Sequence, residues 1–582
     1  MKEIGNVYGI TGSVVKIKGN AMIREMLYIG ENYLLGEVIN IGDFIIAQVF
    51  EDTVGIKKGD IVFGSGAPLS IKLMPGLIGG IFDGIGKNLN EHGDYIKRGN
   101  RLVTNTKKKW ESNILVNKNE IISAYSIIAT IKETKLVDHH IFSPVGGEVI
   151  FATSNGDYKT NEVLVIIRSE FSGEHIEITM ETDWPVKKPR PVIEKLVPSS
   201  PLITGQRVID TFFPIALGGT GAIPGGFGTG KTLTIHQIAK HAHADIIIYI
   251  GCGERGNEIK GILEDFNILK DPKTDHPLTE RVVIIANTSN MPVSAREASI
   301  FTGITIAEYY RDMGYKVALM ADSTSRFAEG LRELSGRLME MPAEEGYPAY
   351  LPARLASFYE RAGIVKNLNG STGSVTVIGT VSPQGGDMND IVTQHTKRFV
   401  RCFWELDKSL AYSRHFPAIN WINSYSEYID DMAQWYKRNA TKNFLINREK
   451  SLQILLQENE LQEIIKLIGE EVLHDTQKLI LAVGLIIRQG FLSQNALSSK
   501  DTYTPIDIQA KFLEIILYLY EKCQELVAMH IPVSVIKRDG IFSKISSIKE
   551  SEFIYSTDLN HYFDKIDATF SKLEMEYKEV WL

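Results

Sequence analysis

The feature that most constrains this chain is the glycine-rich stretch at residues 225–232, which reads Gly-Gly-Phe-Gly-Thr-Gly-Lys-Thr. It matches the pattern G-x-x-x-x-G-K-[ST] in full. Four glycines within six positions let the backbone curl so that successive N–H groups point at one anion. The helix predicted after it adds the positive end of its dipole at the same point. We therefore expect a phosphate-binding loop rather than a glycine-rich turn that only joins a strand to a helix.

The loop supplies the first set of candidate residues. Its lysine can reach the β- and γ-phosphates of a nucleoside triphosphate, and the hydroxyl after it can hold Mg²⁺. The predicted nucleotide-binding residues are Gly225, Gly226, Phe227, Gly228, Thr229, Gly230, Lys231, Thr232 and Leu233.

Two acidic residues are candidates for the chemistry at this loop. Asp322 closes the apolar run at residues 317–321, an arrangement that anchors the Mg²⁺ water shell in P-loop proteins, although it is also compatible with a plain strand-end cap. Glu254 follows the apolar run at 246–250 and is flanked by glycines. It is the best candidate for a general base. Arg255 could balance phosphate charge. From the residues alone, a structural Glu–Arg pair at a helix N-terminus explains Glu254 and Arg255 equally well.

Composition limits the class of protein. The 582 residues exceed what one hydrophobic core supports and predict three or four domains. A net charge of −8 argues against a nucleic-acid-binding protein, which normally carries a basic surplus. Three widely spaced cysteines without metal-ligand spacing predict free thiols in a reducing compartment. Because no apolar run reaches membrane-spanning length and the N-terminus lacks a signal-peptide pattern, we expect a cytoplasmic chain.

The order of hydrophobic patterns predicts the domains. Short strands separated by glycine predict an antiparallel β-barrel over residues 1–72, and a second β region predicts an inserted β domain over 107–191. Strands alternating with helices predict an α/β nucleotide-binding domain over 73–106 and 192–430, with a parallel sheet. Residues 431–582 predict a C-terminal α-helical domain.

Some element-level predictions are specific. Residues 141–150 predict one strand of the inserted domain, and residues 163–167 another. Two helical stripes predict packed core: the first is Leu461, Ile464, Ile465 and Ile468, and the second is Phe512, Ile515, Ile516 and Leu519.

Longer motifs extend over nearly the whole chain and carry a resemblance. They lie at residues 201–210, 251–258, 287–293, 295–298, 321–326, 344–350 and 382–387. With the complete phosphate loop and the inserted β domain before it, they make the chain similar to the catalytic A subunits of V-type and archaeal A-type rotary ATPases. The resemblance implies a RecA-like P-loop core, ATP and ADP as ligands, and Mg²⁺ as cofactor.

The same resemblance implies roles for single residues. Lys231 and Thr232 would bind phosphates and Mg²⁺, Glu254 would activate water, and Asp322 and Glu254 would act on Mg²⁺ through water. Arg255, together with Arg326, would support the phosphates or the surroundings of Glu254. Two residues outside the loop would form the adenine pocket, namely Phe416 and Gln489.

The resemblance also implies partners. Three copies would alternate with three B subunits in a ring, with an arginine finger from B in trans, attached to central and peripheral stalks and indirectly to a membrane sector that moves H⁺ or Na⁺. A secretion ATPase, which should lack the inserted β domain, a non-catalytic structural member of such a ring and a hexameric RNA helicase are the alternatives. The intact Lys231, Thr232 and Glu254 oppose the second, and the acidic charge opposes the third.

Four positions depart from the usual family pattern. Gly226 stands where proline is common, which predicts a more flexible loop. Phe327 replaces a tryptophan and should preserve packing. Leu497 stands where an aromatic residue is usual, so the base pocket loses a ring. Thr229 replaces the cysteine of eukaryotic relatives, which points to a prokaryotic chain, and Cys252 is expected to be packed rather than regulatory.

Overall fold

A computed structural model of the protein describes residues 1–91, 98–99, 108–270, 275–498, 500–551 and 556–581. The chain begins with a closed antiparallel barrel in the order β1-β2-β5-β4-β3-β6. Alternate side chains of these short strands, such as Val15 and Ile17, point inward and fill the barrel. The strands are β1 (Lys2–Thr11), β2 (Val14–Gly19), β3 (Glu25–Ile29), β4 (Leu34–Ile41), β5 (Ile45–Val49) and β6 (Ile61–Pro68). The predicted N-terminal barrel is confirmed.

The inserted β domain consists of two four-stranded sheets, β12-β11-β9-β14 and β10-β13-β15-β16, around a core of their own. β17 pairs antiparallel with β7 at its base, and β8 joins the large sheet described below. The strands of this part of the chain, including β7, β8 and β18 outside the inserted domain, are β7 (Ser70–Leu73), β8 (Ile81–Phe82), β9 (Lys109–Ile114), β10 (Ile121–Ile122), β11 (Ile127–Lys132), β12 (Asp138–Phe142), β13 (Gly147–Ala152), β14 (Gly156–Lys159), β15 (Val165–Ser169), β16 (His175–Ile178), β17 (Thr182–Pro185) and β18 (Glu194–Leu196).

The single strand predicted over residues 141–150 is wrong. The segment contains the end of β12 and the start of β13, which belong to different sheets. Pro144 between them has no N–H to donate to a ladder. Gly147 has φ +154°, and a Cβ there would lie 2.0 Å from the carbonyl oxygen of Arg168. The chain therefore changes sheets here, although its apolar pattern continues.

The nucleotide-binding region is built on a mostly parallel sheet in the order β26-β25-β19-β24-β22-β20-β21-β8, extended by β23 and β18. Alternate residues of β20 face opposite cores: Ile246 and Ile248 pack on one side, and Ile247 and Tyr249 on the other. Burial on both faces explains why these strands read as unbroken apolar runs. The strands are β19 (Thr220–Pro224), β20 (Ile246–Glu254), β21 (Val282–Thr288), β22 (Lys316–Asp322), β23 (Gly363–Lys366), β24 (Thr372–Val381), β25 (Cys402–Phe403) and β26 (Tyr425–Ser426).

Helices cover both faces of this sheet and then form the C-terminal region. Those of the α/β region are α1 (Lys231–His241), α2 (Gly256–Ile268), α3 (Val293–Asp312), α4 (Thr324–Arg337), α5 (Leu351–Tyr359), α6 (Ile391–Phe399) and α7 (Lys408–Tyr412). Those that follow are α8 (Ala433–Asn439), α9 (Phe444–Ile468), α10 (Asp475–Leu485), α11 (Ile506–Ala528), α12 (Val533–Ile536), α13 (Ile541–Ser546) and α14 (His561–Trp581). The predicted fold class is confirmed.

The two helical stripes differ in outcome. All four apolar residues of the α11 stripe are buried, as predicted. On α9, Leu461 is buried, but Ile464 and Ile468 are 40% and 55% exposed, so the prediction of a fully packed stripe is wrong. Only one edge of that stripe, Leu461 with Ile465, packs against α10 in a small separate cluster.

We propose to keep the domain limits expected from the sequence, namely 1–72, 107–191, 73–106 with 192–430, and 431–582. The limit between residues 106 and 107 lies outside the described residues. The last two regions share one continuous hydrophobic core, which runs from the strand residue Tyr249 to Phe570 in α14. The C-terminal helices are therefore packed onto the nucleotide-binding region rather than tethered to it.

Candidate nucleotide-binding site

The glycine-rich loop joins the end of β19 to the start of α1, as the sequence predicts. Gly228 and Gly230 have φ of +79° and +86°, a left-handed conformation that residues with a Cβ adopt at a cost. Gly230 directly precedes α1 and leaves that helix's first N–H groups without a side-chain cap. The loop thus presents unpaired backbone donors at a helix N-terminus, which suits an anion.

Lys231 lies folded onto its own loop. Its Nζ donates to the carbonyl oxygens of Gly225 at 2.6 Å and Gly226 at 3.1 Å. Burial lowers the pKa of Lys231, and the negative charges of Asp322 and Glu254 oppose that effect. The ammonium group is therefore held by weak acceptors that phosphate oxygens can replace.

Asp322 ends β22 and is 3% exposed. Three hydroxyl groups point at its carboxylate: Thr232 Oγ1 at 3.3 Å, Tyr249 Oη at 3.2 Å and Thr380 Oγ1 at 2.5 Å. The peptide bond between Asp322 and Ser323 is cis. These contacts place Asp322 beside the Thr232 hydroxyl, as a water-bridged Mg²⁺ site requires.

Glu254 ends β20, the neighbour of β22 in the sheet, so both acidic residues lie at the same sheet edge. Burial raises the pKa of Glu254 to about 8, aided by the negative charge of Asp322 and by hydrogen bonding to the Glu258 side chain. A carboxyl group whose pKa lies near neutrality is suited to accept a proton. The strong perturbation favours a functional group over the structural pair with Arg255.

The arginines lie at the margin of this cluster. Arg255 is exposed at the residue before α2, and its guanidinium lies 5.7 Å from the ring centre of Phe227, which is 85% exposed. Arg326 pairs with Glu329 at 2.8 Å, and the base of its side chain packs beside Gly253, where a Cβ would lie 2.8 Å from Arg326 Cβ. The positive charge of Arg326 acts on Glu254 and opposes the rise of its pKa. The roles of both arginines stay predictions.

The two predicted adenine-pocket residues lie in different surroundings. The ring of Phe416 lies against the phosphate loop, with Cε1 3.6 Å from the position of a Cβ on Gly230. Gln489 is exposed in a π-helical turn, and its carbonyl oxygen accepts from Lys549 Nζ at 2.5 Å. No hydrogen bond among the described residues joins it to Phe416 or to the loop. Leu497 is 89% exposed, and the role of Gln489 stays a prediction.

Four residues of the site were not among the candidates predicted from the sequence. Tyr249 and Thr380 hold Asp322 from neighbouring strands, and Glu258 lies one helical turn beyond Glu254. Gln494 donates its backbone N–H to the Phe416 carbonyl oxygen at 2.7 Å. Of these, Glu258 could have been found, because its spacing of four from Glu254 places it on the same side of a helix start.

The residues present fit Mg²⁺ as the sequence predicts. No group of three or more His, Cys, Asp or Glu side chains in the described ranges is arranged to hold a metal by itself. A P-loop site needs only one hydroxyl and a water-bridged carboxylate, because the phosphates supply the other ligands. Thr232 Oγ1 beside the buried Asp322 carboxylate provides that pair.

The three thiols and two of the substituted positions, Thr229 and Phe327, are buried. Cys252, Cys402 and Cys523 are free and buried, and burial raises the pKa of Cys252 to about 12. Thr229 Oγ1 donates to the Gly226 carbonyl oxygen at 2.8 Å, within the loop. Phe327 is fully buried with its ring edge-on to Phe301, so packing is preserved there. Among the described helices, none has the length and hydrophobicity to cross a membrane.

Fold and site together define a P-loop nucleotide-binding protein with a RecA-like core. The profile of the ATP synthase alpha/beta family, nucleotide-binding domain, matches residues 205–426. The family's beta-barrel domain matches 7–66, its barrel-sandwich domain 103–187, and the C-terminal domain of V and A type ATP synthase 433–533.

Full-length relatives narrow the class. The V-type ATP synthase alpha chain of Halothermothrix orenii is 49% identical over 100% of this chain and 99% of the relative. The corresponding A-type ATP synthase chain of Methanopyrus kandleri is 50% identical over 94% of each. The chain belongs to the family of V-type ATP synthase alpha chains and A-type ATP synthase A subunits. The predicted family is confirmed, and with it the prediction of an ATP-hydrolysing or ATP-synthesising enzyme.

A solved structure shows how widely the fold is shared. The ATPase EscN of the type III secretion system from enteropathogenic E. coli matches with a TM-score of 0.63 over 88% of this chain and 100% of that chain. Its sequence identity is 22%, so this likeness concerns the fold alone. The full-length relatives favour the rotary-ATPase prediction over the secretion-ATPase alternative.

Proposed function

We propose that this chain is the catalytic component of a rotary ATPase that hydrolyses or makes ATP at its interfaces with B subunits. One observation carries the proposal: the loop lysine and threonine meet a buried Asp322 and a Glu254 whose pKa is raised to about 8, in a chain related along its full length to ATP synthase alpha chains. The non-catalytic alternative lacks support because Lys231, Thr232, Glu254 and Asp322 are all intact in this chain.

The chain's own residues perform the following steps. Lys231 exchanges its carbonyl acceptors in the loop for β- and γ-phosphate oxygens, and Thr232 and Asp322 would hold Mg²⁺, directly and through water respectively. The ion supplies charge neutralisation on the phosphates when it is bound. Ionised Glu254 takes a proton from the attacking water as the oxygen bonds to the γ-phosphorus and the bond to the bridging oxygen breaks, giving ADP and phosphate.

The partner arrangement belongs to the same proposal. Three copies would alternate with three B subunits, each contributing an arginine in trans, with central and peripheral stalks linking the ring to a membrane sector that moves H⁺ or Na⁺. The exposed Phe227 and Arg255 at the loop's outer side are consistent with a site completed by a neighbour. Phe416, whose ring lies against Gly230 of the loop, would contact the adenine.

Mixing the chain with its B partner tests this proposal. The chain alone should hydrolyse ATP slowly, and an arginine finger contributes about 10³- to 10⁵-fold in related reactions, so activity should rise sharply as a hexamer forms. Glu254→Gln in that hexamer should bind nucleotide and lose about 10²- to 10⁴-fold in turnover, because the amide cannot accept the proton. Full activity of the monomeric chain, with no gain on adding B, would contradict the shared site.

A further inference from the structure

Lys408 lies beside the phosphate loop although no motif includes it. Its Nζ donates to the Gly385 carbonyl oxygen at 3.0 Å. A Cβ built on Gly226 would lie 2.6 Å from Lys408 Cε, and one built on Gly386 would lie 2.7 Å from Lys408 Nζ. The end of the lysine side chain therefore lies between two backbones that approach it closely because neither carries a side chain.

The base of this side chain is fixed relative to the loop. Asp407 caps α7, its Oδ1 accepting from the backbone N–H of Ser409 at 2.6 Å and of Leu410 at 3.2 Å. One residue earlier, the N–H of Leu406 donates to the Pro224 carbonyl oxygen at 2.8 Å, where β19 ends and the loop begins. The segment that carries Lys408 thus runs alongside the start of the phosphate loop.

Gly226 connects Lys408 to the groups that bind phosphate. The Gly226 carbonyl oxygen accepts from Lys231 Nζ at 3.1 Å and from Thr229 Oγ1 at 2.8 Å. A displacement of Gly226 therefore moves one of the two carbonyl oxygens that hold Lys231. Lys408, which packs on Gly226, also adds a positive charge beside the phosphate loop.

We propose that Lys408 is a positioning residue that sets the shape of the phosphate loop through Gly226 and thereby sets nucleotide affinity. The inference rests on the proposed function of the loop. It assigns Lys408 no contact with the reacting atoms, so its loss should change the dissociation constant and KM while leaving kcat at saturating ATP.

The test measures the Kd of a fluorescent ATP analogue with Mg²⁺ for the full-length chain, and kcat and KM after assembly with B. Lys408→Ala should raise Kd about fivefold, the effect of one lost hydrogen bond. Lys408→Met keeps the aliphatic stem and removes the charge, so its Kd distinguishes the effect of the charge from the effect of packing. Gly226→Ala needs no left-handed backbone and places a Cβ where the lysine lies, so it should raise Kd similarly. The double variant, Lys408→Ala with Gly226→Ala, should bind no more weakly than either single variant.

Two controls make the outcomes distinct. Lys118→Ala removes an exposed lysine of the inserted β domain and should leave Kd and KM unchanged. A wild-type Kd for Lys408→Ala, or effects of the two single variants that multiply in the double variant, would overturn the inference. If Lys231→Ala loses binding while Lys408→Ala does not, only this inference fails. Normal binding by Lys231→Ala defeats the proposed function itself.

Discussion

Glu258→Gln should move the acid limb of the pH–rate profile to lower pH. The pKa of Glu254 is raised to about 8 first by burial, then by the charge of Asp322, and then by the hydrogen bond and charge of Glu258. Glutamine at position 258 removes the last two effects and leaves the first two. Its amide can also donate to the ionised Glu254 carboxylate, which favours the form that accepts a proton.

The size of the shift follows from the interaction removed. A hydrogen bond that discriminates between charged and neutral forms contributes about 1.5 kcal/mol, which corresponds to about one pH unit. With a pKa of about 8, about one Glu254 in ten is ionised at pH 7, and a downward shift of one unit raises that to about one in two. Because the base acts in its ionised form, kcat/KM at pH 7 should rise about fivefold.

The assay is kcat/KM for ATP between about pH 5.5 and 9.5, with the chain assembled with its B partner. Glu264→Gln is the matched control, since Glu264 lies on the same helix α2, is 61% exposed and pairs with Lys260. It removes the same charge outside the site and should leave the acid limb in place. An acid limb that stays or rises in Glu258→Gln would refute the assignment of Glu254 as the base tuned by Glu258.

Four further predictions concern single residues. Lys231→Ala should abolish ATP hydrolysis in the assembled complex without lowering the thermal unfolding midpoint, because the lysine bonds to carbonyl oxygens of its own loop and is not part of a hydrophobic core. Substantial residual activity would contradict the loop assignment. Arg207→Met should lower that midpoint strongly, since it leaves the buried Asp501 carboxylate, 2.7 Å from Arg207, uncompensated at a cost of about 3–5 kcal/mol. Lys450→Ala breaks an exposed ion pair and should cost less than about 1 kcal/mol. Cys252, with a pKa raised to about 12, should resist a thiol reagent at pH 8 until the chain is denatured.

The central part of the site could be predicted because its groups belong to contiguous patterns. The glycine-rich loop fixes its own geometry, and parallel strands end at one edge of a sheet. Asp322 and Glu254, each at the end of a buried apolar run, therefore had to lie near the loop.

The parts of the fold and the site that the sequence does not predict depend on pairings between distant segments. Thr380 reaches Asp322 because β24 pairs with β22, a neighbour relation that no local pattern encodes. The run at residues 141–150 keeps its apolar pattern while Pro144 and Gly147 end one strand and start another. On α9, periodicity predicts an apolar face, but whether Ile464 is covered depends on where α10 lies.

Arg207 shows how the nucleotide site is joined to the C-terminal helices. Gln494 donates its backbone N–H to Phe416 beside the loop, and its side-chain oxygen accepts from the Arg207 backbone N–H at 2.8 Å. The Arg207 guanidinium then binds Asp501 and, at 2.5 Å, the Phe491 carbonyl oxygen. A buried, charge-assisted network of this kind resists separation of its parts. The aromatic residue proposed to contact the base is therefore positioned by the C-terminal region, so movement of those helices would act on the nucleotide from its adenine end.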